Sequence, residues 1–145
     1  MGKDHVEVIE MDICRSPQDN VLLPETRERC IELVKSCDIT LITPPCSTFS
    51  RAPWSNSWGP APIRNMAYPL GFPWLSHDGR RKADEANAMV DLTFEVLELI
   101  HIEAQTRFCV GFTEHPKDLG ATIPGDVTTR VASIWQDVRA TSLVD

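Results

Sequence analysis

Two short apolar runs rich in β-branched residues, 38–43 (DITLIT) and 107–113 (RFCVGFT), flank one long helical pattern over residues 80–105. That order predicts a β–α–β unit, because a helix between two strands carries the chain back over a sheet and leaves the strands parallel. The helical pattern is apolar at Ala86, Met89, Val90, Phe94, Leu97 and Ile100, spaced for one buried face. Upstream, residues 6–13 are apolar at positions 6, 8, 9, 11 and 13 and read as a further strand. Pro24, with Glu25 and Glu28 in the first turn, opens a helix to about Cys37, striped by Cys30, Leu33, Val34 and Cys37. A last helix is predicted from Asp126, with Val127, Val131, Ile134, Trp135 and Val138 on one face. The expected fold is a single α/β domain over residues 1–145, a mostly parallel sheet with helices on both faces.

At 42% hydrophobic and 24% charged residues, the composition is that of a globular chain. No apolar run approaches the ~18–20 residues of a membrane span, and the first ten residues are charged rather than signal-like. A soluble, intracellular and hence cytoplasmic protein with no membrane partner is expected. Five cysteines, an odd number with no Cys-x-x-Cys pair, argue against a disulfide framework or a zinc site. Cys14, Cys30, Cys37 and Cys109 read as small buried hydrophobes.

Residues 44–79 lack periodicity yet hold seven of the eleven prolines and six of the ten aromatic residues, which marks an ordered loop rather than a linker. The net charge of −7 divides unevenly. From Ser47 to Ala83 there are five basic residues against the single acid Asp78, a net of +4 on a body of −11.

In a parallel sheet, chemistry gathers at the carboxyl ends of the strands. Asp12 follows the first predicted strand, Pro44-Pro45-Cys46-Ser47-Thr48-Phe49-Ser50 the second, and Glu114-His115-Pro116 the third. Taken singly, such residues often do no more than stop a strand or cap a turn.

Together they resemble the DNA (cytosine-5)-methyltransferases. That family's catalytic loop reads Pro-Pro-Cys-x-x-Phe-Ser, and every fixed position is present here. Its Glu-Asn-Val or Glu-Asn-Pro signature is matched by Glu114-His115-Pro116, and its Gly-Asp-Ile step by Met11-Asp12-Ile13. The resemblance covers about residues 6–120 and implies a Rossmann-like methyltransferase-type fold. It makes Cys46 the nucleophile that adds to cytosine C6 and Glu114 the partner of N3. Asp12 and Pro44 would contact S-adenosylmethionine. Ser47, Phe49, Ser50, Arg51, Trp54 and Arg64, with Trp58, would meet a flipped base and its phosphates. DNA is the implied partner, and the basic window its docking edge.

Several family parts are missing. No Phe-x-Gly-x-Gly turn exists for the cofactor, nor a Gln-x-Arg-x-Arg signature or target-recognition region, and His115 replaces Asn. The family's first two strands have no counterpart either, so open sheet edges are expected, and with them a homo-oligomer or a missing N-terminal segment. The chain reads as a partial enzyme, incomplete alone, or alternatively as a non-catalytic binding module that keeps the fold. A zinc-deaminase reading from His5-Val6-Glu7 and Pro45-Cys46 fails because Phe49 occupies the last cysteine position.

Overall fold

The computed structural model describes residues 5–55, 58–117 and 126–143. Its scaffold is α1 (Pro24–Ser36), β1 (Ile39–Ile42), the short α2 (Ala52–Ser55), α3 (His77–Glu103), β2 (Val110–Thr113) and α4 (Val138–Ser142). The two strands are parallel, in register from Ile39 with Val110 to Ile42 with Thr113. The β–α–β unit is therefore present as a small α/β arrangement with a two-stranded sheet.

Local chemistry accounts for the helix ends. Pro24 pre-sets the first turn of α1, whose end is closed by the Cys37 N–H donating to the carbonyls of Leu33 and Val34. Ser76 caps α3 by accepting from the Gly79 N–H. Helix α3 starts three residues before the periodicity indicates, because the cap, not the first apolar residue, sets the start.

Helix α3 is the spine, with one cluster on each of two sides. Val34 of α1 and Ile42 of β1 pack with Leu92, Val96, Ile100 and Cys109. Phe49, Ala132 and Ile134 pack with Ala86, Val90 and Phe94. The sheet sits so close to α3 that a Cβ on Gly111 would fall 2.8 Å from Ile100 Cδ1, so a side chain there would have to displace the end of Ile100.

Four expectations change. Residues 6–13 form no strand; among the described residues the sheet has only β1 and β2. Helices cover one face of that sheet rather than two, and Ile39, Leu41 and Phe112 on the other are exposed. The helix predicted from Asp126 is a single turn, closed by the Thr129 N–H to the Asp126 carbonyl. The chain then runs irregularly through residues 130–133, because burying Val131 and Ala132 against the core outweighs a helical continuation through β-branched Thr128 and Thr129. Finally, Cys14 is exposed because its segment lies outside both clusters, whereas Cys109 is buried. Burial pushes the half-buried Cys30 thiol up.

Candidate active site

Strand β1 runs into Pro44-Pro45, which cannot donate to a sheet ladder and hold the preceding residues extended, so the strand stops and the chain lifts away. Pro44 is buried, while Pro45 and Cys46 are exposed. The Phe49 N–H donates to the Cys46 carbonyl at 2.9 Å, closing a turn that presents the thiol outward and sends Phe49 into the core. Beside it, the Glu114 N–H donates to the Ile42 carbonyl at 3.1 Å, carrying the pairing one residue past β2. Glu114 is exposed. The register thus sets the Cys46 loop and the Glu114 loop next to each other.

His115 locks the two loops together. Its ring meets Phe49 edge-on at 5.5 Å and Trp135 at 6.3 Å, and the Trp135 indole N–H donates to the Pro116 carbonyl at 2.9 Å. A side chain that interrupts the motif Glu-Asn-Pro is therefore a packing element here. Neither ring nitrogen makes a well-formed hydrogen bond, and the hydroxyls of Thr48 and Thr113 at the same end of the sheet are also buried without partners. Burial pushes the His115 pKa below the ordinary imidazole value, against the smaller opposing effects of the Pro116 carbonyl and the Glu114 charge.

A stability signature follows. The unfolded chain takes up the His115 proton near pH 6.5, before the folded chain does, so ν_U exceeds ν_N in that interval. Stability from this group is complete above about pH 6.5 and is lost as pH falls toward the lower folded value. Urea midpoints should drop between pH 7 and pH 5 in the parent and flatten in His115→Leu. A midpoint that holds or rises on acidification in the parent contradicts this. Asp137, whose carboxyl Arg139 holds low, loses its contribution only further into acid.

The remaining predicted site residues divide. Ser47 and Arg51 are exposed; Ser50 is half-buried, its hydroxyl donating to the Ser47 carbonyl at 3.4 Å, and Trp54 is half-buried on α2. Trp58 is exposed. Phe49 and Arg64, expected to stack on a base and hold a phosphate, are internal instead. Arg64 is 1% exposed, lies over the Phe49 ring at 4.0 Å, and donates to the Pro69 carbonyl, Asn87 Oδ1 and the Ala83 carbonyl. Its two terminal nitrogens are held by α3 and the loop, while Nε is buried without a partner, so the guanidinium faces no solvent.

Arg80, Arg81 and Lys82 of the basic window likewise find partners within the chain. Arg81 bridges Asp78 and Glu85, Lys82 pairs with Asp78, and Arg80 donates to the Leu70 and Phe72 carbonyls. Lys82 and Arg81 hold the Asp78 carboxyl down at about 2. These i,i+3 and i,i+4 pairs tie the first turns of α3 together rather than forming a cationic edge.

The residues present do not fit S-adenosylmethionine. Asp12 Oδ1 accepts from the Cys14 N–H, and the Asp12 carbonyl from those of Arg15 and Ser16, so this residue closes its own turn. Of the seven glycines, Gly2, Gly120 and Gly125 lie outside the described residues. Gly59 lies in the exposed loop after α2, Gly71 and Gly79 pack on Leu75, and Gly111 is pressed against α3, so none of these four opens the backbone at a strand's carboxyl end. Among the described residues no three His, Cys, Asp or Glu side chains converge on a metal position, and no helix is long and apolar enough to cross a membrane.

A cleft of about 250 Å³ opens behind Phe49, lined by Leu70, Asn87, Asp91 and Arg139 among others, and it includes neither Cys46 nor Glu114. Sequence reasoning passed over Asn87 and Arg139. Asn87 sits beside Ala86 and Val90 on the inward side of α3, an unusual place for an amide, and that was the available signal. Comparison with protein-family models, curated proteins and solved structures finds no match to this chain.

Proposed function

We propose that the chain is a partial cytosine-C5 DNA methyltransferase-like segment, a reduced Rossmann-like unit in which Cys46 attacks cytosine C6 and Glu114 engages the base edge. The proposal rests on one observation: two adjacent parallel strands end side by side, one leading to an exposed thiol and the other to an exposed carboxylate.

Cytosine C5 is a poor nucleophile, and addition of a thiolate to C6 converts the ring into an enamine. In the reading offered here the Cys46 thiol loses its proton to water and Sγ bonds to C6. The C5–C6 π pair moves onto C5, and Glu114, acting as the carboxylic acid, donates its proton to N3 and accepts from the exocyclic amine, so that the negative charge developing on the ring is neutralised; the proton returns to Glu114 when the thiolate leaves. C5 takes a proton from solvent. Loss of the original C5 proton and expulsion of the thiolate then restore cytosine, with no change in oxidation state. The poor fit to S-adenosylmethionine ends the sequence at this reversible addition. Exposed Ser47 and Arg51 and half-buried Trp54, in the stretch that follows Cys46, supply polar, cationic and aromatic groups for an unpaired base.

The test is exchange of the cytosine C5 hydrogen in a single-stranded oligonucleotide in D₂O, followed by proton NMR. The parent chain promotes exchange, Cys46→Ala abolishes it, and Glu114→Gln slows it by about 10²–10⁴-fold, the scale of one positioned proton-sharing group. Exchange by Cys46→Ala at the parental rate removes Cys46 from the role. Titration with S-adenosylmethionine should give no heat at millimolar concentration.

A second reading, a non-catalytic binding module, is favoured by the internal places of Phe49 and Arg64 and by the self-closed turn at Asp12. Oligonucleotide binding with no exchange in the parent decides for it.

A further inference from the structure

We propose that two copies of this chain associate by strand exchange, residues 6–13 of each copy adding to the open β1 edge of the other. The chain carries both halves of such a joint, and among the described residues neither residues 6–13 nor the open edge of β1 is paired with a strand. The donor is a segment with apolar side chains on both sides, Val6 and Val8 on one and Ile9, Met11 and Ile13 on the other if extended, the pattern of a strand buried within a sheet. Yet residues 5–11 make no backbone hydrogen bond with any described residue, and Val6 and Val8 are 86% and 81% exposed.

The acceptor is β1. Alternate residues of a parallel strand bond to one neighbour, and the Asp38 and Ile42 carbonyls are used by Val110 and Glu114. The backbone groups of Ile39 and Leu41 therefore point to the open side. Their side chains, 64% and 70% exposed, stand on the bare face beside Phe112. Two short strands make a marginal sheet, and an open edge is a template for a further strand.

Area favours a second copy as the occupant. Val6, Val8, Ile9, Ile13, Ile39, Leu41, Phe108 and Phe112 are each half or more exposed. Fully burying such a side chain removes roughly 60–120 Å² from water, and with about two-thirds of each exposed the set offers roughly 300–650 Å² of apolar surface. A standard interface takes about 800 Å² from each partner, somewhat over half of it apolar. Exchange also satisfies both unused features with one two-fold contact. Each copy carries a net charge of −7, so association strengthens with salt.

Sedimentation velocity on the full chain tests this, with Val8→Lys as the donor variant and Leu41→Lys as the acceptor variant. Both positions are exposed in the single chain, so helix content by circular dichroism should be unchanged. The parent is expected to sediment as a dimer at tens of micromolar, and each variant alone at least tenfold more weakly. Mixing the two variants restores a dimer, because one intact donor then meets one intact acceptor. A monomeric parent overturns the proposal, as does a mixture no tighter than either variant. Protection of residues 6–13 from amide exchange in a monomer overturns it too, by showing the segment docked on its own sheet.

Discussion

Replacing Arg64 with methionine is expected to lower stability by about 3–5 kcal/mol, seen as a lower urea midpoint at unchanged slope. Methionine matches the aliphatic length but leaves three acceptors without their donor: the Pro69 carbonyl, the Ala83 carbonyl and Asn87 Oδ1. Each buried acceptor so orphaned costs about 1–3 kcal/mol, offset in part by no longer desolvating a cation. That desolvation is considerable: burial, with the neighbouring Arg80 charge, pulls the Arg64 pKa down to about 10. The guanidinium stays charged at neutral pH and works as a strut between the Pro-rich loop and α3. Arg64→Lys should recover only part of the loss, since one ammonium cannot reproduce the planar fork. A loss under 1 kcal/mol for the methionine variant, with weakened oligonucleotide binding, would return Arg64 to the phosphate-contact role its loop position suggests.

Phe49→Ala is expected to cost about 3–5 kcal/mol, the scale for removing a buried aromatic ring. Phe49 is packed among Ala86, Val90, Phe94, Ala132 and Ile134, beneath the Arg64 guanidinium and against His115. It joins the Cys46 loop, α3 and the segment before α4 in a single contact. Because Phe49 and Arg64 share a face, the double variant should lose less than the sum of the singles, with a coupling of about 1 kcal/mol in a double-mutant cycle. Unchanged stability in Phe49→Ala would refute the core assignment.

The parts of the fold legible in sequence are those set by neighbours along the chain. The β1–α3–β2 order shows because β-branched runs, a 3.6-residue stripe and proline or serine at helix starts act within a few residues. Cys46 and Glu114 were legible for a related reason: each follows directly on a strand, so its place at the sheet's carboxyl end comes with the strand. The failures share a cause. Residues 6–13 have as good a strand pattern as residues 38–43, but a strand exists only when another pairs with it, and among the described residues none does. Asp126 is a sound helix cap, yet the apolar residues after it reach the core without continuing the helix.

Charge was the least legible property. Five basic residues between Ser47 and Ala83 looked like a cationic edge, but a sequence lists charges without their partners. Arg64 finds carbonyls on α3 and its own loop; Arg81 and Lys82 find acids a turn away.

What the amino-acid sequence determined by itself is a β–α–β unit with a proline-braced cysteine at one strand end and a glutamate at the next. Tertiary structure alone decided that Phe49, Arg64 and His115 tie those loops to the core, and that no described residue covers one face and edge of the sheet. The physical reason is range. Propensity and capping act over a few residues, whereas burial and ion pairing depend on which distant segments meet.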